Sequence, residues 1–138
     1  MGKHKSTEIK VFDNERDCFS SGIYWRFYNF RNYVTTVNTN KNNFTIINGI
    51  QKGNNLFHSF KEFSIPKGGS ATFKNSSDVL NIINRVTGRN ISNIDGLIKA
   101  NGNANLFLIN PAGIVFGENA RLDIGGSFLG STAESILF

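Results

Sequence analysis

The second half of the chain alternates short apolar segments with residues that form turns. Between Asn93 and Ser131, Asn, Gly, Pro and charged residues separate four apolar segments at positions 96–100, 105–109, 113–116 and 121–124. Each segment is too short to be stable as a helix, and Leu-Phe-Leu-Ile and Ile-Val-Phe consist of residues that favour strands. The pattern therefore predicts short β-strands joined by tight turns.

Two of these predicted strands differ in the number of apolar faces they have. Leu106 to Ile109 is apolar on both faces, which is typical of a strand buried from two sides in a parallel sheet. In segment 121–124, Leu122 and Ile124 alternate with charged residues, as in a strand with one solvated face. Short strands at this spacing fit a β-solenoid or a β-sandwich, and the hairpin signal Asn101-Gly102 points against the solenoid. The residues alone leave both folds open.

The first half contains similar strands. Residues 44–47 form a predicted strand that ends at Asn48-Gly49, and residues 70–73 form another. Between them, residues 56–60 alternate so that Leu56, His58 and Phe60 share one face.

One segment, near residues 77–87, has helical periodicity instead. Its apolar residues fall at i, i+3, i+4 and i+7, a single helical stripe of Val79, Ile82, Ile83 and Val86. Asp78 suits the N-terminal end of a helix, and Gly88 stands where a left-handed C-cap is expected. The pattern predicts one short helix, which could close the first coil of a solenoid.

Composition restricts the classes of function. The chain has 138 residues, which fits one domain, and its net charge of +5 is scattered along the sequence. Without a cluster of Lys and Arg, we predict no nucleic-acid partner. Cys18 is the only cysteine, which excludes an internal disulfide and a multi-cysteine metal site.

Residues 1–33 differ from the rest of the chain. Their second half holds seven aromatic residues that follow neither a helical nor a strand period. Together with Arg26 and Arg31, these aromatics could bind single-stranded nucleic acid, but a leader outside the fold explains them more simply. The basic N-terminus is not followed by the apolar segment of a signal peptide, so we expect no export signal in the chain as written.

Candidate catalytic residues are few. The sequence has no Gly-x-Ser-x-Gly motif whose serine His58 could activate, so His58 is expected to be a partly buried, hydrogen-bonded strand residue. Asp95 and Asp123 could form the carboxylate pair of a glycosidase, although a turn explains Asp95 and a solvated strand face explains Asp123. We predict no enzyme activity and no catalytic, metal or cofactor site. The alternative is a fragment of a β-helix carbohydrate-active enzyme.

The most distinctive short motif is Asn110-Pro111-Ala112-Gly113. Pro111 presets the backbone for the second position of a tight turn, Asn110 can accept a bond from its own backbone, and Gly113 can end the turn. A turn explains these residues without any binding function.

Several motifs, in the same order, resemble those of a known family. They are Asn55 to Phe60, Val86 to Gly88, Ser92 to Gly96, Ala104 to Pro111, Gly113 to Gly117 and Gly125 to Phe128. From about Val34, the chain resembles the secretion domain of filamentous-haemagglutinin-type exoproteins, the two-partner secretion or haemagglutination-activity domain. The resemblance implies an all-β, right-handed parallel β-helix (solenoid) with an N-terminal cap that includes the short helix. Together with the apolar character of the strands, it predicts that Leu106, Leu108, Ile114 and Phe116 are largely buried. It divides the chain into an atypical leader, 1–33, and a two-partner secretion domain, 34–138.

The resemblance also implies a partner, an outer-membrane β-barrel transporter whose periplasmic domains recognise the chain and export it. The residues that match the family's recognition turn are Asn110, Pro111, Gly113 and Ile114, while Ala112 replaces the usual second Asn. The family implies a secreted or cell-surface adhesin, with adhesive regions beyond Phe138 that contact a host or neighbouring cell. Without a signal peptide, the fragment itself is expected to be able to remain in the cytoplasm.

Overall fold

The computed structural model describes residues 9–11 and 35–133. These residues form fourteen strands and no helix. The strands are β1 Ile9–Lys10, β2 Thr35–Asn40, β3 Asn43–Asn48, β4 Ile50–Lys52, β5 Asn55–Phe60, β6 Glu62–Phe63, β7 Ser70–Phe73, β8 Asn81–Val86, β9 Ser92–Ile94, β10 Leu97–Ala100, β11 Asn105–Ile109, β12 Ile114–Phe116, β13 Arg121–Asp123 and β14 Phe128–Ser131.

The strands form a parallel β-solenoid. Sheet 1 has the strand order β13-β10-β7-β3-β2, sheet 2 the order β14-β11-β8-β5-β4, and sheet 3 pairs β12 with β9. Strands from successive coils pair in parallel, and strands that follow one another along the chain mostly belong to different sheets. The chain therefore winds about four times around one core. The first coil contains β3, β5 and β6, the second β7, β8 and β9, the third β10, β11 and β12, and the last β13 and β14. This confirms the all-β parallel solenoid and excludes the sandwich.

Side chains at paired positions stack in columns inside the solenoid. In sheet 2 the register aligns Leu56, Ile82 and Leu106, which are at most 5% exposed. Burying each of these side chains stabilises the fold by about 1.5–3 kcal/mol, so the columns supply much of its stability. Sheet 1 contributes a matching column of Phe44, Ala71, Ile98 and Leu122, in which Leu122 of the last coil is 49% exposed.

A row of asparagines links successive coils at the start of sheet 2. Asn81 Nδ2 donates to Asn55 Oδ1 at 2.9 Å, and Asn105 Nδ2 donates to Asn81 Oδ1 at 3.1 Å. In the last coil Ser127 takes the equivalent place, and its backbone N–H donates to Asn105 Oδ1 at 2.8 Å. The linked residues are 26, 24 and 22 positions apart, so the row holds coils of different lengths in register.

Antiparallel strands cover the N-terminal edge of the solenoid. β2 pairs with β3 in sheet 1, and β4 pairs with β5 in sheet 2. On the third side β1 pairs with β6, which immediately precedes the bridge between Ile65 and Ile94. The strands of the first coil would otherwise offer free hydrogen-bonding edges to other chains, so these three strands act as the cap.

The prediction of a helix near residues 77–87 is wrong. Residues 81–86 form β8, which pairs with both β5 and β11, and Asp78 accepts hydrogen bonds in the preceding turn from Ser76 and Gln51. Ile82 and Val86 face the core of the solenoid, while Ile83 faces outward. The β-branched residues Ile and Val are well accommodated in strands. Pairing of β8 on both edges therefore stabilises this segment as a strand more than its apolar stripe would stabilise it as a helix.

The hairpin signal at Asn101-Gly102 was also misleading. Gly102 has a φ of +68°, as a tight turn requires, but the turn joins β10 of sheet 1 to β11 of sheet 2. These two strands do not pair with each other. The Asn-Gly pair therefore makes a corner of the solenoid.

Burial agrees with expectation in the third coil except near its end. Leu106 and Leu108 are buried, as predicted, and Ile114 is half-buried. Phe116 was expected to be buried but is 48% exposed, although it pairs with the fully buried Ile94. No described strand pairs with the other edge of β12, so the following coil shields Phe116 only in part, through the ring of Phe128, whose centroid is 5.8 Å from that of Phe116.

Part of the expected leader contacts the fold. Ile9 is 5% exposed and belongs to the hydrophobic core, and Lys10 Nζ lies 3.8 Å from Glu62 Oε2. The aromatic residues of the leader and Cys18 lie outside the described residues. The boundary at residues 33 and 34 therefore stays a prediction.

His58 is fully buried in the core beside aromatic rings. Its Nδ1 is 2.9 Å from Thr35 Oγ1, and its ring centroid is 5.6 Å from that of Phe73 and 6.0 Å from that of Phe60. Within the described residues its Nε2 has no hydrogen-bond partner. Burial lowers the pKa of His58 from 6.5 to about 3, so the imidazole is neutral in the folded protein.

We expect stability to fall on acidification because of His58. Its pKa is lower in the folded state, so its contribution is complete above pH 6.5 and is lost as the pH falls toward 3. Between pH 7 and pH 5 the loss should be about 2 kcal/mol, measured as the change in free energy of unfolding by urea titration.

The control for this prediction is the other histidine, His4. His58→Gln should remove most of the difference in stability between pH 7 and pH 5, whereas His4→Gln should preserve it. A difference that survives in His58→Gln would show that another group causes it.

We expect Asn81→Ala to destabilise the solenoid by about 1–3 kcal/mol, because it leaves a part-buried acceptor on Asn55 and a donor on Asn105 unpaired. Urea denaturation measures the change. Asn38→Ala, at an exposed position of β2, is the control and should change stability by less than about 0.5 kcal/mol. Equal effects of the two substitutions would contradict a stabilising role for the asparagine row.

Candidate recognition site

The turn of residues 110–113 joins β11 to β12 in the third coil. The backbone N–H of Gly113 donates to Asn110 O at 3.0 Å, which closes a β-turn. The N–H of Ala112 donates to Asn110 Oδ1, also at 3.0 Å. This confirms that Asn110 bonds to its own backbone, as the sequence predicts.

Asn110 also ties the turn to the neighbouring coils. Its Nδ2 donates to Asn90 O and to Ser92 Oγ, each at 2.9 Å, in the coil before. Its backbone N–H donates to Ser131 O in the coil that follows, at 2.9 Å. The residue is fully buried, and every polar hydrogen of its amide has a partner. Asn110 therefore shapes the turn, and its side chain is inaccessible to a partner protein.

The surface of the turn belongs to other residues. Pro111 and Ala112 are exposed, and Ile91, which is 45% exposed, lies close to Gly113. Gly113 has a φ of +129°, a conformation that residues with a Cβ rarely adopt. Its carbonyl accepts a hydrogen bond from Ser92 N–H at 3.0 Å. The accessible part of the turn is thus small and apolar. Its backbone is held by hydrogen bonds to the coils before and after it.

Ile114 begins β12 and has a different environment. It pairs with Ser92 and is half-buried against the hydrophobic core. Of the four residues that resemblance assigns to recognition, Asn110 and Ile114 thus anchor the turn, Pro111 is exposed and Gly113 permits its backbone shape. The structure brings all four together but does not make all four accessible.

Sequence reasoning missed Asn90 and Ser92, which hold Asn110. They lie 20 and 18 residues before it, and nothing in the local pattern marks them as partners. The signal that could have identified them is the coil length. A buried amide in one coil is expected to bond to polar residues at the equivalent turn of the coil before, because each coil contacts only its neighbours.

The residues considered for catalysis have other structural partners. Asp95 Oδ1 accepts the backbone N–H of Asn119 at 2.9 Å, which fixes the turn after β12. Asp123 lies exposed on β13 with its carboxylate 3.9 Å from Lys99 Nζ. Within the described residues, no group of three or more His, Cys, Asp and Glu side chains is arranged to hold a metal ion.

One depression lies near the corner between sheets 3 and 1. It has a volume of about 360 Å³ and is lined by Lys67, Gly68, Glu118, Asn119 and Arg121. Charged side chains of both signs and its open shape give it no clear preference for one ligand. No helix among the described residues is long and apolar enough to cross a membrane.

Comparison with known proteins identifies the family. The chain matches the family model described as the TPS secretion domain over residues 28–138. No curated protein sequence matches the chain. The match covers the greater part of the chain and all of the described coils, and the parallel solenoid is the fold that the resemblance implies. The chain therefore belongs to the TPS family, the two-partner secretion domains of filamentous-haemagglutinin-type exoproteins.

Proposed function

We propose that this domain directs a larger adhesin-like exoprotein to a partner outer-membrane β-barrel transporter, whose periplasmic domains recognise it. The observation that carries the proposal is the family match over residues 28–138, which coincides with the stacked coils of the solenoid. In this role the domain acts as a binding surface, without chemistry of its own. Its destination is the cell surface or the medium, where other parts of the exoprotein contact a host or neighbouring cell.

Within the domain, we assign recognition to the turn of residues 110–113. Three observations support this assignment: the turn is exposed at Pro111 and Ala112, its backbone is held by buried hydrogen bonds, and its motif resembles that of the family. A rigid apolar turn loses little conformational entropy when it is bound, which favours its use as a recognition element. Asn110 and Gly113 contribute by shaping the turn, and Pro111 and Ala112 supply the accessible contacts.

Export should depend on the transporter and on Ala112. With a signal peptide fused before Met1, the chain should reach the medium only when the cognate transporter is co-expressed. Ala112→Asn restores the residue that the family usually has at this exposed position, and it should increase transporter-dependent export. The measurement is the amount of exported chain per cell, with stability checked by urea denaturation.

Ala133→Asn is the matched control. Ala133 is also exposed, and its N–H also donates to a side-chain oxygen two residues earlier, Ser131 Oγ at 3.0 Å. Its substitution should leave export unchanged. Export without the transporter would refute the proposed function, whereas equal effects of the two substitutions would refute only the role of the turn.

Asn110→Ala tests the structural role of the buried amide. It should lower the free energy of unfolding by about 1–3 kcal/mol, because Asn90 O and Ser92 Oγ lose a buried donor. At a temperature where the variant remains folded, its export should decrease because the turn is less well ordered. Unchanged stability would contradict the anchoring role of Asn110.

A further inference from the structure

Sheet 2 has two apolar faces, although a solenoid needs only one. Successive residues of a strand point to opposite faces, so the neighbours of the core-facing residues point outward. These outward-facing residues form an apolar row in register across all five strands. We call this the outer row, and it consists of Ile50, Phe57, Ile83, Phe107 and Leu129.

Most of the outer row is shielded from solvent. Ile83 is 3% exposed, Ile50 6% and Phe57 9%, while Leu129 in the last coil is 48% exposed. None of these residues belongs to the hydrophobic core cluster inside the solenoid. Neighbouring strands flank an outward side chain but leave its tip open, so residues this deeply buried must be covered from above.

The outward face of sheet 1 differs in character. Its equivalent row is polar and consists of Thr45, Thr72, Lys99 and Asp123. Lys99 and Asp123 are exposed, and the two threonines are half-buried. An apolar outward face is therefore specific to sheet 2 and does not follow from the solenoid fold itself.

The described residues on either side of one segment lie beside sheet 2. That segment, residues 12–34, lies between β1 and β2 in the sequence. The carbonyl of Lys10 accepts the N–H of Lys61 at 2.8 Å, just after β5 ends. At the other end Thr35 Oγ1 accepts the N–H of Ser59 at 3.2 Å and contacts His58. Lys10 and Thr35, which flank the segment, are thus both attached at the C-terminal end of β5.

The length and composition of this segment suit the outer row. Eight of its residues are aromatic, the highest density in the chain. Neighbouring strands are about 4.8 Å apart, so the distance from β5 to β14 is about 15 Å. An extended chain covers that distance in about five residues, which allows residues 12–34 to cross the sheet and return.

We propose that residues 12–34 cover the outer row of sheet 2 as a second hydrophobic layer. The occupant is this segment of the same chain, because the residues that flank it are attached beside the sheet and its aromatic residues match the apolar surface. The proposal makes the segment part of the domain, whereas the sequence alone suggested a leader outside it. It does not depend on recognition by a transporter.

Trp25, the only tryptophan, lies in this segment and reports on the proposal. In the full chain, acrylamide should quench Trp25 fluorescence several-fold less in the native state than in guanidinium chloride. Phe107→Ser should increase quenching toward the denatured value while the far-ultraviolet circular dichroism is retained. Leu97→Ser is the control, since Leu97 is an equally half-buried outward residue in the same coil, but in sheet 1. Equal quenching of Trp25 in the native and denatured chains would overturn the proposal.

A cross-linking experiment does not depend on a destabilised variant. Cys18 is the only cysteine and lies in the segment, and Leu129→Cys adds a second at an exposed position of the outer row. Under mild oxidation the intramolecular disulfide should form several-fold faster in Leu129→Cys than in Asp123→Cys, which places the second thiol on the outward face of sheet 1. Equal rates would overturn the proposal. So would a dimer in sedimentation equilibrium whose dissociation exposes Trp25, because a second copy would then cover the outer row.

Discussion

The parallel, in-register pairing of successive coils is the constraint on which the rest of this structure depends. Strands β7, β8, β10 and β11 each obtain backbone hydrogen bonds from the coils before and after them, and the same register stacks inward side chains into columns. A single coil could not bury its apolar residues alone, so stability is shared between neighbours. The asparagine row keeps this register across coils whose lengths differ, because the amides of Asn81 and Asn105 each donate to the coil before and accept from the coil after.

The same constraint explains how the solenoid begins. Parallel stacking leaves an open edge on the first coil, and each of the three sides is closed by an antiparallel strand, β1, β2 or β4. An antiparallel partner satisfies the backbone hydrogen-bonding groups at the edge of the first coil. It also ends the parallel stacking there, which makes it a suitable cap. The buried His58 lies just beneath this cap and is held by Thr35 of β2.

The turn of residues 110–113 draws its shape from the coils around it. A four-residue turn in isolation would populate several conformations, whereas this one is bonded to the coil before through Asn90 and Ser92 and to the coil after through Ser131. The amide that a sequence motif would suggest as a contact is fully enclosed, and the contacts available to a partner are apolar. A motif of this kind can therefore combine buried residues that fix the shape of a turn with exposed residues that are accessible to a partner.

The sequence by itself determined the positions of seven of the fourteen described strands, the turn at Asn110 and the strand position of His58. These features follow from local physics: short runs of strand-forming residues, the turn chemistry of Asn, Pro and Gly, and alternation of faces. The tertiary structure alone decided that residues 81–86 are a strand, because their apolar residues fit both periods and only pairing with β5 and β11 distinguishes them. It also decided the exposure of Phe116 and the partners of Asn110, since both depend on residues one coil away that contact them only after the chain has wound.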